Sequence, residues 1–148
     1  MSTQRMKTAA VIVLALALAA GFLALGGVNS AQAQSFWTVC PSGCDFTTIQ
    51  AAIDSTSVAN GDVINVSHPA GSTHIEAGIS VNKSVTINGQ GRFITYVQAA
   101  ASPGVATNRV FLVPSGRTVT IQNMTIRYGV IGSTNGGAIR NEGTLTLK

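Results

Sequence analysis

The stretch FLVPSGRTVTI, residues 111–121, joins two short apolar segments through a tight polar corner. Residues 111–113 and 119–121 have the apolar character of short strands, and the Pro, Ser and Gly between them are typical turn residues. Residues 79–87 (ISVNKSVTI) and 138–147 (AIRNEGTLTL) repeat this order of strand, corner and apolar-Thr-apolar strand. Because repeats of about 20–50 residues are typical of solenoids, the pattern predicts an all-β solenoid.

Stacking the repeats predicts a parallel β-helix of about three coils, spanning residues 62–148, with apolar side chains turned inward. A β-sandwich of hairpins is the alternative, because Asn-Gly pairs, which favour two-residue hairpin turns, occur at Asn60, Asn88 and Asn135. The strand–corner–strand repeat fits that alternative poorly. The expected coils are 63–66, 79–81 and 85–88; 94–98, 110–113 and 119–122; and 124–127, 138–141 and 145–148.

A short helix precedes the strands. Phe46, Ile49, Ala52 and Ile53 fall on one helical face, and Asp45 or Thr47 is suited to cap its first turn. The helix is too short to be stable alone in water, so we expect it to dock on the strands. It is the only helix expected in the mature chain.

Residues 1–33 have the organisation of a secretory signal peptide. A basic start (MSTQRMK) precedes a long apolar run, and Ala31 and Ala33 offer a small-residue cleavage site. A retained membrane anchor is the alternative, since about 20 apolar residues suffice to cross a bilayer. Cleavage would give a secreted or cell-surface protein that begins near Gln34 and has no further membrane span.

Cys40 and Cys44 frame the short segment CPSGC. Outside the cytosol such a pair usually forms a disulfide, and Pro41 and Gly43 favour the turn that it needs. A redox or metal site is the alternative, but a metal site needs further ligands nearby. Residues 34–61 are therefore expected to form a disulfide loop and a capping helix.

Several of these motifs resemble those of the right-handed parallel β-helix proteins of the pectin-lyase-like superfamily. The matching segments are CDFTTIQAAID (44–54), GDVINV (61–66), KSVTINGQG (83–91), VTIQNMTIRYG (119–129) and GGAIRNEGTLTL (136–147). The resemblance implies the N-terminal part of a secreted or surface bacterial repeat protein, truncated at its C-terminus, with the helix capping the open end of the β-helix. This fold hosts lyases, hydrolases, adhesins and scaffolds, so it does not specify a reaction.

Catalytic chemistry has little support in the sequence. Lyases and hydrolases of this fold use clustered carboxylates, whereas no two acidic residues here are two positions apart on one strand. We therefore predict no catalytic, cofactor or metal site.

His68 and His74 are expected to be solvent-exposed loop residues. Trp37, Tyr96 and Tyr128 could stack on sugar rings, but they lie far apart in sequence, and edge packing is the simpler interpretation. The acidic residues are Asp45, Asp54, Asp62, Glu76 and Glu142.

The sequence favours a non-catalytic extracellular scaffold for adhesion or for contact with polysaccharide or cell-surface glycan. The N-terminal fragment of a polysaccharide lyase or glycoside hydrolase is the alternative. The basic residues are scattered singly, which argues against nucleic-acid binding. A β-helix that stops after a strand exposes unpaired edges, so we expect residues 34–148 to be marginally stable or to self-associate through the open C-terminal end.

Overall fold

A computed structural model describes residues 33–69, 72–130 and 137–148. The predicted signal peptide falls almost wholly on residues 1–32, which lie outside the described residues. The described residues form one helix and eleven strands. The elements are β1 (Phe36–Val39), α1 (Ile49–Asp54), β2 (Val63–Val66), β3 (His74–Ile75), β4 (Ile79–Ser80), β5 (Thr86–Asn88), β6 (Tyr96–Gln98), β7 (Phe111–Val113), β8 (Thr118–Gln122), β9 (Thr125–Arg127), β10 (Ile139–Asn141) and β11 (Thr144–Leu147).

The strands form three parallel sheets that wind into a β-solenoid of about four turns, which confirms the predicted fold class. The first sheet has the order β1-β2-β5-β8-β11, the second β3-β6-β9 and the third β4-β7-β10. From β2 onward, the chain visits the first, second and third sheets in turn and then returns to the first, one rung further along. Every pairing between these strands is parallel, so they contain no hairpin of the kind that a β-sandwich would need.

The predicted repeat units stack as expected on two of the three sheets. Phe111 pairs with Ile79 and Ile139 in the third sheet, and Ile121 pairs with Ile87 and Leu147 in the first. The corner between the two strands of each unit therefore links the third sheet to the first.

The predicted composition of the first coil is wrong. Val63–Val66 and residues 85–88 are not separate strands of one coil, because Val63 pairs directly with Thr86 in the first sheet. The second-sheet strand of that coil is His74–Ile75, which the sequence predicts to be part of a loop. A two-residue strand is too short to show alternation, so the sequence pattern could not reveal it. β1, whose sequence FWTV does not alternate cleanly between apolar and polar residues, pairs with β2 ahead of the predicted coils.

The core consists of aliphatic side chains stacked rung upon rung. Ile64, Ile87 and Ile121 follow one another along the first sheet, and each is at most 2 % exposed. Burying one such side chain contributes about 1.5–3 kcal/mol. The stacking explains why apolar residues recur at corresponding positions of each unit.

The helix α1 packs its buried face, Ile49, Ala52 and Ile53, against β1, β2 and β4. Its N-cap is Thr48, whose side chain accepts a hydrogen bond from the N–H of Ala51. The predicted caps, Asp45 and Thr47, are therefore wrong, because the helix begins only at Ile49.

Candidate functional site

The disulfide between Cys40 and Cys44 is present, with the two Cα atoms 5.6 Å apart. Asp45 closes the loop by accepting hydrogen bonds from the N–H and Oγ1 of Thr38 at 2.8 and 2.7 Å. These bonds from Thr38 hold the pKa of Asp45 below its ordinary value. The loop is thus a structural element that fixes the chain between β1 and α1.

Across the described part of the chain, no group of three or more His, Cys, Asp or Glu side chains is arranged to hold a metal ion.

His74 is buried, which corrects the expectation of an exposed loop histidine. It is 4 % exposed, because it lies on β3 facing the interior, and its Nε2 is 2.5 Å from Oε2 of Glu76. The Glu76 carboxylate also accepts the backbone N–H groups of Ile49 and Gln50, each at 2.8 Å. Burial alone raises the pKa of Glu76, but the hydrogen bonds from His74, Gln50 and Ile49 outweigh it and lower that pKa. The pair therefore ties the helix to the first complete coil.

A cleft of about 300 Å³ lies between the disulfide loop and the segment after β2. His68 lines it and meets the His74 ring edge-on, with 4.9 Å between ring centroids. Burial, followed by the neighbouring His74, lowers the pKa of His68. Ser42 and Ser67 also line the cleft, but among the described residues no hydrogen bond joins either hydroxyl to the His68 ring. A serine nucleophile is activated by hydrogen bonding to a base of this kind.

The five carboxylates have separate hydrogen-bonding or ionic partners. Asp62 accepts bonds from Ser35, Trp37 and Ala59 at 2.8–2.9 Å. Burial raises its pKa, but these bonds outweigh burial and lower it. Asp54 accepts a bond from Gln50, and Glu142 pairs with Arg140. Trp37 serves this structural network and also packs against Phe46, so its ring is not a free stacking surface.

Tyr96 and Tyr128, by contrast, are brought together. Strands β6 and β9 pair so that Gln98 lies opposite Arg127, which places the Arg127 guanidinium over both tyrosine rings. The distances from its Cζ to the ring centroids are 4.4 Å for Tyr96 and 4.7 Å for Tyr128. The Nε of Arg127 donates to Oε1 of the buried Gln98 at 2.8 Å. We call these four residues the stacked face. Tyr96 and Tyr128 lie far apart in sequence, and the pairing of β6 with β9 brings them together.

Tyr128 has a strained backbone, with φ at 58° in the left-handed region. A bulky residue is a genuine outlier there, and such strain concentrates at functional sites. The next residue, Gly129, has no room for a side chain, since an added Cβ would lie 2.1 Å from the carbonyl oxygen of Gly137. The chain is therefore tightly confined where it leaves the stacked face.

Further exposed apolar and basic side chains lie on the second sheet and in the loop before β6. Phe93 and Ile75 are 74 % and 54 % exposed, and the Arg92 guanidinium lies over the Phe93 ring at 4.5 Å. The Oγ1 of Thr125 donates to the carbonyl of Arg92, which fixes this loop against β9. No carboxylate of the described residues forms a salt bridge with Arg92 or Arg127. The arrangement combines flat rings with guanidinium donors.

Comparison with protein-family models, curated proteins and solved structures yields no match to this chain. Within the described residues, no helix has the length and apolar character required to cross a membrane.

Proposed function

We propose that this chain is a non-catalytic, extracytoplasmic β-solenoid scaffold that contacts carbohydrate through the stacked face. The supporting observation is that the Arg127 guanidinium lies over the rings of both Tyr96 and Tyr128 and is hydrogen-bonded to Gln98. Tyrosine offers a flat apolar ring with a polar tip, which suits a sugar that is apolar on its ring faces and polar at its edges. The strained backbone of Tyr128 agrees with a functional reason for keeping that side chain there.

The extracytoplasmic location rests on the signal-peptide pattern of residues 1–33 and on the disulfide, which is typical of oxidising compartments. We further propose that the solenoid is right-handed and of the pectin-lyase-like type. The order of its motifs supports this assignment, as does the parallel three-sheet winding.

Two other expectations stay as proposals. The N-terminal part of a polysaccharide lyase or glycoside hydrolase has less support, because each carboxylate here is engaged by a separate structural partner. Self-association through β11 is supported by the 60 % exposure of Leu147 on that strand.

The proposed function is tested by affinity electrophoresis of the purified chain in gels containing neutral or acidic polysaccharides. We expect retardation by at least one polysaccharide and its loss in Tyr96→Ala combined with Arg127→Ala. Phe36→Ala is the matched control, because Phe36 is an exposed aromatic residue (66 %) on the first sheet. Equal retardation of the wild-type and doubly substituted chains would exclude the stacked face as the contact, and an unretarded wild-type chain would contradict the proposal.

A further inference from the structure

Arg109, two residues before β7, carries a buried positive charge. The residue is 8 % exposed, and its Nη1 atom is inaccessible to solvent with no hydrogen-bond partner among the described residues. A guanidinium stays charged at any physiological pH, so it cannot escape burial by losing a proton. Burying part of such a group without a hydrogen-bond partner or counter-charge destabilises the folded state.

No side-chain carboxylate of this chain forms a salt bridge with Arg109. The residues outside the described ranges contain no Asp or Glu, so all five acidic side chains are placed. Neither of the two salt bridges involves Arg109. The five carboxylates bind elsewhere: Asp45 to Thr38, Asp54 to Gln50, Asp62 to Trp37, Glu76 to His74, and Glu142 to Arg140.

The main chain around Arg109 is held by backbone contacts with neighbouring segments. The N–H of Val130 donates to the carbonyl of Asn108 at 3.1 Å, and the N–H of Gly78 donates to the carbonyl of Arg109 at 2.8 Å. A Cβ on Gly129 would lie 3.1 Å from the N of Val110. The segment that leaves the stacked face after Arg127 therefore runs beside Arg109.

We propose that the Arg109 guanidinium binds an oxyanion supplied from outside this chain, a carboxylate, sulfate or phosphate group. The planar fork of guanidinium N–H groups matches two oxygens of such an anion. An external anion would provide the counter-charge that the sequence itself lacks at this position. This inference rests on the burial of Arg109 and on the positions of the carboxylates, and it does not depend on carbohydrate contact by Tyr96 and Tyr128.

The test is the melting temperature of the chain titrated separately with sodium sulfate, with trigalacturonate and with its neutral counterpart, trigalactose. For the wild type we expect a saturable rise on the order of 5 °C with an oxyanion probe and none with trigalactose. Arg109→Met should lose the saturable rise and melt no lower than the wild type in the absence of the probe, since an apolar side chain of similar length removes an unpaired buried charge. Sulfate also raises the melting temperature of proteins in general, without saturation, and this general rise should persist in Arg109→Met.

Arg117→Met is the matched control, because Arg117 adjoins the corner before β8 and does not share the burial of Arg109. It should retain the wild-type response. Arg109→Lys keeps the positive charge but loses the planar fork of N–H groups, so its saturable rise in melting temperature should be smaller than that of the wild type. This variant should fold, so the proposal can still be tested if Arg109→Met does not. A saturable rise with trigalacturonate alone identifies an anion carried on a polysaccharide, whereas a rise with sulfate as well identifies a free oxyanion. An identical saturable rise in all the Arg109 variants, or none in the wild type, overturns the proposal.

Discussion

The carboxylate of Glu76 lies 2.5 Å from Nε2 of His74, and the same carboxylate accepts two backbone N–H groups from the first turn of the capping helix. The side chains are 12 % and 5 % exposed, so water cannot easily replace these bonds. One carboxylate thus joins the helix, the second sheet and the end of the solenoid. Its removal should affect the whole N-terminal end of the fold.

We predict that Glu76→Gln lowers the free energy of unfolding by about 2–3 kcal/mol, because a neutral amide cannot accept all three bonds and one buried donor loses its partner. Urea denaturation measures the change. Glu142→Gln is the control: Glu142 pairs with Arg140 on the surface, so its loss should cost less than about 1 kcal/mol. Equal effects of the two substitutions would show that Glu76 does not secure the helix.

The pH dependence of stability follows from the same carboxylate. The pKa of Glu76 is lowered in the folded state from its ordinary value of 4.5. The stabilisation is therefore fully present above about pH 4.5 and is lost as the pH falls through the folded-state pKa. His68, whose pKa is lowered from 6.5, adds an earlier loss that begins below about pH 6.5. The melting temperature of the wild type should fall as the pH is lowered from 7 to 3. Below pH 4.5 this fall should be less steep in Glu76→Gln than in the wild type. Parallel curves for the two proteins would contradict this assignment.

The sequence was sufficient to predict the solenoid, because its inward side chains recur in every coil. Ile87 and Ile121, identified by their apolar-Thr-apolar strands, do stack in the first sheet. The sites could not be predicted in the same way. His74 lies on a two-residue strand that leaves no periodic signal, and the pairing of Gln98 with Arg127 depends on a register that only the complete winding fixes.

Asn residues illustrate the same limit. Asn123 lies in the corner between β8 and β9 and has a left-handed backbone, with φ at 56°, which Asn tolerates better than most residues. Asn65 and Asn88 instead lie within strands, where the Nδ2 of Asn88 donates to the Oδ1 of Asn65 at 2.9 Å. A polar residue near a strand end can supply either an unusual backbone angle or a side-chain ladder, and the sequence alone does not distinguish these roles.

Replacing Tyr128 by glycine should weaken binding while leaving stability nearly unchanged. We predict that Tyr128→Gly keeps the free energy of unfolding within about 1 kcal/mol of the wild type, since relief of the left-handed strain offsets the lost stacking on Arg127. Tyr128→Ala loses the stacking without the relief, so it should be the less stable variant. Both should weaken polysaccharide retardation. Chemical denaturation measures stability, and a Gly variant less stable than the Ala variant would argue against strain at this position.

The exposed side chain of Leu147 on β11 should promote self-association of the chain. Among the described strands β11 is the last of the first sheet, and an edge strand offers backbone donors and acceptors to another copy, to which the exposed leucine adds apolar contact. We expect the wild-type sedimentation coefficient to rise with concentration and Leu147→Lys to reduce that rise, because a charge on an edge strand opposes pairing. Val105→Lys is the control, since Val105 is equally exposed (61 %) but lies in the loop between β6 and β7. A wild-type chain that sediments as a monomer at every concentration would refute association through β11, and equal effects of the two lysines would indicate a general effect of charge.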